Sequence, residues 1–169
     1  MKEITLKKIP VILDTDAGTD IDDMWAIALA LNCPELDLKL ITTTNGNTLY
    51  RARLVAKFLE IAGRSDIPVG VGPVTSDIIE AQGPWIENYS LDNYSGTIYE
   101  DGINAMINTI MGSKEKITII SIGPVTNIAK ALERNPDIVK NTRFVGMQGS
   151  VRKGYNASDK TSAEYNVKT

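Results

Sequence analysis

Short apolar runs alternate along this chain with longer stretches of helical period. Residues 11–13, Val-Ile-Leu, read as a strand. Asp22–Asn32 reads as a helix that is apolar on nearly every face, which predicts burial all round, and Pro34 follows its end. Residues 38–43 read as a second strand. Residues 48–62 carry an amphipathic helical pattern. Ala52, Val55, Ala56 and Leu59 form its apolar stripe, Arg51, Arg53, Lys57 and Glu60 lie off it, and Gly63 is a natural stop. Residues 67–71 read as a short strand bounded by Gly and Pro. Residues 72–98 show no period and contain Pro73, Gly83-Pro84 and Ser95-Gly96, so they read as one long loop. A helix over 99–111, a strand over 117–122, a helix over Thr126–Arg134 and a strand over 143–147 follow.

Strand–helix alternation of this kind predicts an α/β fold: an open, mostly parallel sheet with helices on both faces, doubly wound and Rossmann-like. The 169 residues suffice for a single α/β domain with a real core. Ligands in such folds bind beyond the carboxyl ends of the strands. That rule gathers residues 14–23, 42–47, 123–127 and 147–150 at one rim.

The first of these segments is the most charged. Asp14, Asp16, Asp20, Asp22 and Asp23 fall within ten residues, between an apolar strand and an apolar helix. Like charges that close repel, and each raises its neighbours' pKa. A hard divalent cation, Ca²⁺ or Mg²⁺, removes the conflict, because carboxylate oxygens are its preferred ligands. Acidic residues also gather at helix starts simply to cap free N–H groups, and Asp20 reads as the pure surface residue of the five.

Composition narrows the chemistry. The chain has no histidine, which excludes Ser-His-Asp triads, Cys-His pairs and histidine-ligated zinc. A net charge of −3 with no basic stripe offers nucleic acid no electrostatic footprint. Cys33 stands alone, so a disulfide framework is excluded and a reducing compartment, the cytoplasm, is expected. Residues 1–8 lack the apolar centre of a signal peptide, and no apolar run reaches membrane-spanning length. Neither nucleic acid nor a membrane is therefore an expected partner.

DTDAGTDIDD, TTTNGN, SIGPVTNIA, MQGS and AEYNV occur in this order. Together they resemble the successive motifs of the nucleoside hydrolases, the inosine-uridine preferring N-ribohydrolase family, over essentially the whole chain. The family usually has DTDxG followed one residue later by the paired aspartates. Here Thr19, Asp20 and Ile21 intervene, so the loop is two residues longer.

The resemblance implies a Ca²⁺ at the carboxyl edge of the sheet. It implies hydrolysis of the N-glycosidic bond of ribonucleosides to ribose and free base, as in purine and pyrimidine salvage. By the same resemblance Asp16 ligates the metal and serves as general base toward the attacking water. Asp23 and the Thr126 carbonyl ligate the metal, and Asp22 binds a ribose hydroxyl. Asn47 lies near the ribose, Glu164 and Asn166 hydrogen-bond its hydroxyls, and Asn156 contacts the 5′-hydroxyl. Plainer readings stand beside these: Thr126 and Asn47 as helix N-caps, Glu164 and Asn166 as a solvated loop. Family members continue past the point matched by Thr169 and carry there a further metal-ligating aspartate and, in many, a histidine that protonates the leaving base. The resemblance therefore implies that the 169 residues are the amino-terminal part of a longer domain, weak or inactive alone. A homo-oligomer stays open. Trp85, in the 72–98 loop, is a candidate substitute proton donor.

Two other classes fit parts of the pattern. An apolar strand ending in Asp14-Thr15-Asp16 resembles the nucleophile motif of haloacid-dehalogenase-type, Mg²⁺-dependent phosphatases, with Asp14 as the phosphorylated residue. That family wants Thr or Val where Gly18 stands. The other class is a non-catalytic metal- or ribose-binding module. An EF-hand loop starting at Asp14 needs a glutamate at its twelfth position, where this chain has Trp25.

Overall fold

Alternation along the first strand decides where the core sits. In the computed structural model, which describes residues 7–169 without the Tyr155 side chain, strand β1 (Ile9–Thr15) sends Val11 and Leu13 into one apolar cluster and Ile12 into another. The stretch examined for a signal peptide falls largely on residues 1–6, outside the described residues. Helix α1 (Asp22–Asn32) leads to β2 (Leu36–Thr43), and α2 (Thr48–Ile61) to β3 (Val69–Val71). A long connection reaches β4 (Ile98–Tyr99), and α3 (Gly102–Gly112) carries the chain back to β5 (Ile117–Ser121) beside β1. Helix α4 (Thr126–Arg134) and a 3₁₀ segment (Pro136–Asn141) lead to β6 (Thr142–Gly146), and α5 (Tyr165–Lys168) is a single turn.

Among the described residues these strands form one sheet in the order β4-β3-β2-β1-β5-β6, every pair parallel. This is the open α/β sheet that the alternation predicts. The chain winds outward from β1 to β4 and restarts at β5, so the strand order reverses between β1 and β5. A crevice opens at such a reversal, beyond the carboxyl ends. Helices α1 and α2 cover one face, burying Met24, Ile27, Leu54 and Leu59 against Val11, Leu13 and Ile41. On the other face Ile103, Met106 and Ile110 of α3 and Ala131 of α4 pack on Ile12, Ile117 and Ile119. No helix among the described residues is long and apolar enough to cross a membrane.

Four sequence expectations are corrected. Helix α1 is buried on one side only: Met24 and Ile27 face the sheet, whereas Trp25 and Leu29 are 69% and 73% exposed. An apolar side chain is buried only where something covers it, and a helix lying on a sheet has an uncovered side. Arg51, expected off the apolar stripe of α2, is 2% exposed. The 72–98 segment is not a bare loop. It contains 3₁₀ turns over Gly83–Ile86 and Leu91–Asn93 and buries Ile86, Tyr89 and Tyr94. Cations of α2 bind its carbonyls: Arg53 Nε donates to Tyr89 O at 2.8 Å, Arg53 Nη2 to Ile86 O at 2.6 Å, and Lys57 Nζ to Trp85 O. The third helix starts at Gly102, because Ile98 and Tyr99 pair with β3 and Asp101 caps the helix by accepting from Asn104 N at 3.0 Å.

Gly102 and Gly70 let α3 and β3 touch backbone to backbone. A Cβ on Gly102 meets Gly70 C and Val71 O at 2.8 Å, and one on Gly70 meets Gly102 Cα at 2.9 Å. At the other end of the same helix, Gly112 has nothing within 4 Å of its Cβ position. The two alanine substitutions are therefore expected to act with opposite sign. Gly102→Ala overpacks the contact and costs roughly 1–3 kcal/mol; Gly112→Ala, at the last helical residue with open space around it, restricts the unfolded chain and adds roughly 0.4–1 kcal/mol. Thermal unfolding of the two variants checks this, and a Gly102→Ala protein as stable as the parent would show that the contact is not tight.

Candidate active site

β1 delivers its aspartates to two different environments. Asp14 is fully buried and accepts from Thr42 Oγ1 at 2.6 Å and Asn127 Nδ2 at 2.7 Å, both on Oδ1. Its Oδ2 has no hydrogen-bond partner among the described residues. Burial pushes the Asp14 carboxyl up to about 7 against those two bonds, with the charges of Asp16 and Asp23 adding to the rise. Asp14 is thus a tie between β1, β2 and α4, closed off from solvent. A phosphatase nucleophile has to be reachable, so the geometry disfavours the haloacid-dehalogenase-type alternative.

Asp16 points the other way, into a cavity of about 500 Å³ at the β1–β5 reversal. The loop between β1 and α1 lines it with Asp16, Asp20, Asp22 and Asp23, the ends of β5 and β6 with Ile122 and Met147, and α5 with Glu164, Tyr165 and Asn166. Asp16 and Asp23 are 7% and 8% exposed. Burial raises the Asp16 pKa, opposed by the hydrogen bond from Asn45 Nδ2 to Asp16 Oδ2 at 3.2 Å and by the Arg51 charge. Burial pushes Asp23 up to about 7 in spite of a short hydrogen bond from Thr15 Oγ1, and the charges of Asp16, Asp22 and Asp20 add to it. Asp20 is raised first by its hydrogen bond with Asp22.

Only one helix-start contact is made by these aspartates among the described residues: Asp22 Oδ1 accepts from Asp23 N at 3.0 Å in the first turn of α1. The residue before α1 is Ile21, and it makes no side-chain cap bond. Carboxylate oxygens of Asp20, Asp22 and Asp23 lie within 4.8 Å of one another. An all-oxygen donor set, partly desolvated and self-repelling, fits a hard divalent cation. Asp20, read from sequence as surface alone, therefore joins the cluster while staying exposed. Gly123 closes the rear of the site: a Cβ there meets Asp16 Oδ1 at 2.8 Å and Asp16 N at 2.9 Å.

The remaining expected residues divide. Asn47 is the N-cap of α2, its Oδ1 accepting from Tyr50 N at 2.9 Å. Thr126 is the first residue of α4 and makes no cap bond; the cap position is Val125. It lines a neighbouring cavity that shares Asn166 with the first. Glu164 and Asn166 are not a solvated loop but 8% and 4% exposed. Glu164 caps α5 by accepting from Asn166 N at 2.9 Å, and Asn166 Nδ2 donates to Ile122 O at 2.9 Å and Met147 O at 3.1 Å, stitching the ends of β5 and β6 together. Asn156 is exposed between β6 and α5, with a left-handed φ of 56°, and is not among the residues lining either cavity. Trp85 faces a separate apolar pocket with Ile21, Met24 and Phe58, its ring 4.9 Å below Lys57 Nζ, and does not reach the acidic cavity. Sequence reasoning missed Asn45 and Arg51. The Asn45-Gly46 pair, both at positive φ (65° and 62°), was the readable signal for the first.

Residues 11–169 match the family model of the inosine-uridine preferring nucleoside hydrolases. The non-specific ribonucleoside hydrolase RihC of Klebsiella pneumoniae is 35% identical over 170 residues, covering 95% of this chain and 54% of that protein. The pyrimidine-specific ribonucleoside hydrolase RihA of Escherichia coli is 34% identical over 178 residues, covering 94% and 53%. Among solved structures, a plant nucleoside hydrolase, PpNRh1, superposes with a TM-score of 0.72 at 30% identity, over 92% of this chain and 52% of its own. An inosine-uridine preferring nucleoside hydrolase from Bacillus anthracis has the same TM-score at 20% identity, over 94% and 57%, and supports the fold. The chain spans about half the length of the curated relatives it matches.

A divalent cation is expected to stabilise this chain in the acidic cavity, with Asp23, which belongs both to the Asp20–Asp22–Asp23 cluster and to the ligand set that the resemblance implies, as a ligand. At a hundredfold excess over its Kd a bound ligand adds about 2.7 kcal/mol, which lifts Tm by roughly 5–10 °C at this size. Thermal scans with Ca²⁺ or Mg²⁺ measure the shift, and Asp23→Asn is expected to lose most of it. Equal shifts in the two proteins remove this site from consideration.

Proposed function

The chain belongs to the inosine-uridine preferring nucleoside hydrolase family, and from that premise we propose that it carries the general base and the ribose grip of a Ca²⁺-dependent ribonucleoside hydrolase. The supporting observation is the convergence of Asp16, Asp22, Asp23, Glu164 and Asn166 on one cavity at the strand reversal. Nucleoside salvage in the cytoplasm is the proposed setting, and the 169 residues are proposed to act as one α/β unit within a longer hydrolase-like domain.

Asp16, Asp23 and the Thr126 carbonyl are the proposed Ca²⁺ ligands. When bound, such an ion lowers the pKa of water in its shell and polarises sugar hydroxyls. Asp16 takes the proton of the attacking water. Oxygen bonds to C1′, the C1′–N bond breaks, and its electron pair leaves with the base, which takes up a proton from solvent while Asp16 returns the water's proton to solvent. Positive charge grows on the ribose ring on the way, and the surrounding carboxylates stabilise it.

Asp22 and Glu164 accept from ribose hydroxyls. Asn47 and Asn166 each have one amide atom committed to the fold, Oδ1 in the cap of α2 and Nδ2 in the β5–β6 stitch. That leaves Asn47 Nδ2 to donate and Asn166 Oδ1 to accept. Asn156 is proposed for the 5′-hydroxyl, a contact that requires its exposed segment to fold over the cavity.

The chain has no histidine to protonate the departing base. Lack of a general acid costs roughly 10²–10⁴-fold, so turnover is expected to be slow. In a form extended past Thr169, a reducing-sugar assay over purine and pyrimidine ribonucleosides in Ca²⁺ is expected to detect ribose release that Asp16→Ala abolishes. Release no greater than that control on every nucleoside defeats the proposal.

A further inference from the structure

Arg51 is among the largest fully buried side chains, at 2% exposure, and it sits immediately behind the acidic cavity. Its guanidinium faces main chain rather than an acid. Nη1 donates to Asp16 O, to Ala17 O at 3.0 Å and to Thr19 Oγ1 at 3.3 Å; Nη2 reaches the same hydroxyl at 3.3 Å. Nε donates to Asn45 O at 2.7 Å. Among the ion pairs of the described residues none involves Arg51. A buried guanidinium without a carboxylate partner is expensive unless its donors are all used. Here each of its three nitrogens donates at least once, to the two loops that rim the cavity, one after β1 and one after β2.

Those loops need holding. Gly18 has φ 123°, and Asn45 and Gly46 are left-handed at 65° and 62°. Carbonyls of residues 16 and 17 turn inward to the guanidinium instead of pairing with neighbouring amides, and Tyr50 OH takes the next one, Gly18 O, at 3.0 Å. Asn45, whose carbonyl Arg51 holds, donates its own Nδ2 to Asp16 Oδ2. One side chain thus fixes the backbone of Asp16 directly and its carboxylate through Asn45.

We propose that Arg51 is a positioning residue for the cation and ribose site: its planar fork sets the main chain from Asp16 to Thr19 and the Asn45 turn, so that Asp16 stands across the cavity from Asp22 and Asp23. It acts through Asp16 and touches neither cation nor sugar. The inference rests on the cation-dependent hydrolase reading above. A lysine keeps the charge but has a single compact donor centre in place of the fork.

Groups that orient ligands from behind are typically worth about 10–100-fold in metal affinity. Calorimetric titration with Ca²⁺, with far-ultraviolet circular dichroism as the folding check, is the test. Arg51→Lys is expected to stay folded and lose roughly tenfold or more in Ca²⁺ affinity. Thr19→Ala removes two of the guanidinium contacts from an exposed loop residue and is expected to lose about two- to fivefold, a smaller share of the same effect. Arg53→Met, which removes the clamp on the Gly83–Ile86 turn, serves as control: it lowers Tm and leaves Ca²⁺ affinity unchanged. Arg51→Lys and Thr19→Ala with parental affinity, whatever their Tm, overturn the inference while the hydrolase reading stands. An unmutated chain that does not bind Ca²⁺ overturns both.

Discussion

Like-charged carboxylates held out of water at the end of one strand are the constraint on which this structure turns. Asp14, Asp16 and Asp23 are each less than a tenth exposed, and burial raises the pKa of all three. Such a group is tolerated only with donors aimed at it. The donors come from everywhere around the reversal: Thr42 on β2, Asn45 in the following loop, Asn127 on α4, Thr15 on β1 itself. The architecture of the rim is in this sense a consequence of the charges it accommodates.

The division of labour among the aspartates follows from the pleat of β1. Successive side chains of a strand point to opposite sides. Asp14 and Asp16 are nonetheless two apart, and the strand ends between them, so the chain has already begun to turn when Asp16 is reached. Asp14 stays in the sheet, tied to its neighbours, and Asp16 swings into the cavity. Arg51 and Gly123 meet Asp16 from behind, one through its carbonyl and the other by having no side chain to obstruct its carboxylate.

The fold was largely legible, because apolar runs between helical periods have few arrangements other than a covered parallel sheet. The rim was legible too, since parallel strands all end on one side. What periodicity misses is what lies on top of a face. Trp25 and Leu29 belong to an apolar helix yet stand in solvent, and Arg51 has the spacing of a surface residue yet is enclosed by two loops that come from elsewhere in the chain. The start of α3 was set by the pairing of Ile98 and Tyr99 with β3, a contact between distant segments that the helical period does not announce. Asn47 illustrates the remaining ambiguity: capping and ligand contact use different atoms of one amide, so sequence reasoning had no need to choose.

The parallel sheet also imposes an order of assembly. No two of its strands can be joined by a hairpin, and β1 finds β5 only after three other strands have been laid down. The hydrogen bond from Asn127 to Asp14 spans 113 residues of sequence. Contacts so distant carry a high loop-closure cost, which slows folding. In the unfolded chain the aspartates are solvated and their repulsion is screened by water, so the charge cluster burdens the folded state alone. A cation that needs the finished rim then acts on the unfolding rate rather than on the folding rate, and lends the native state persistence in time.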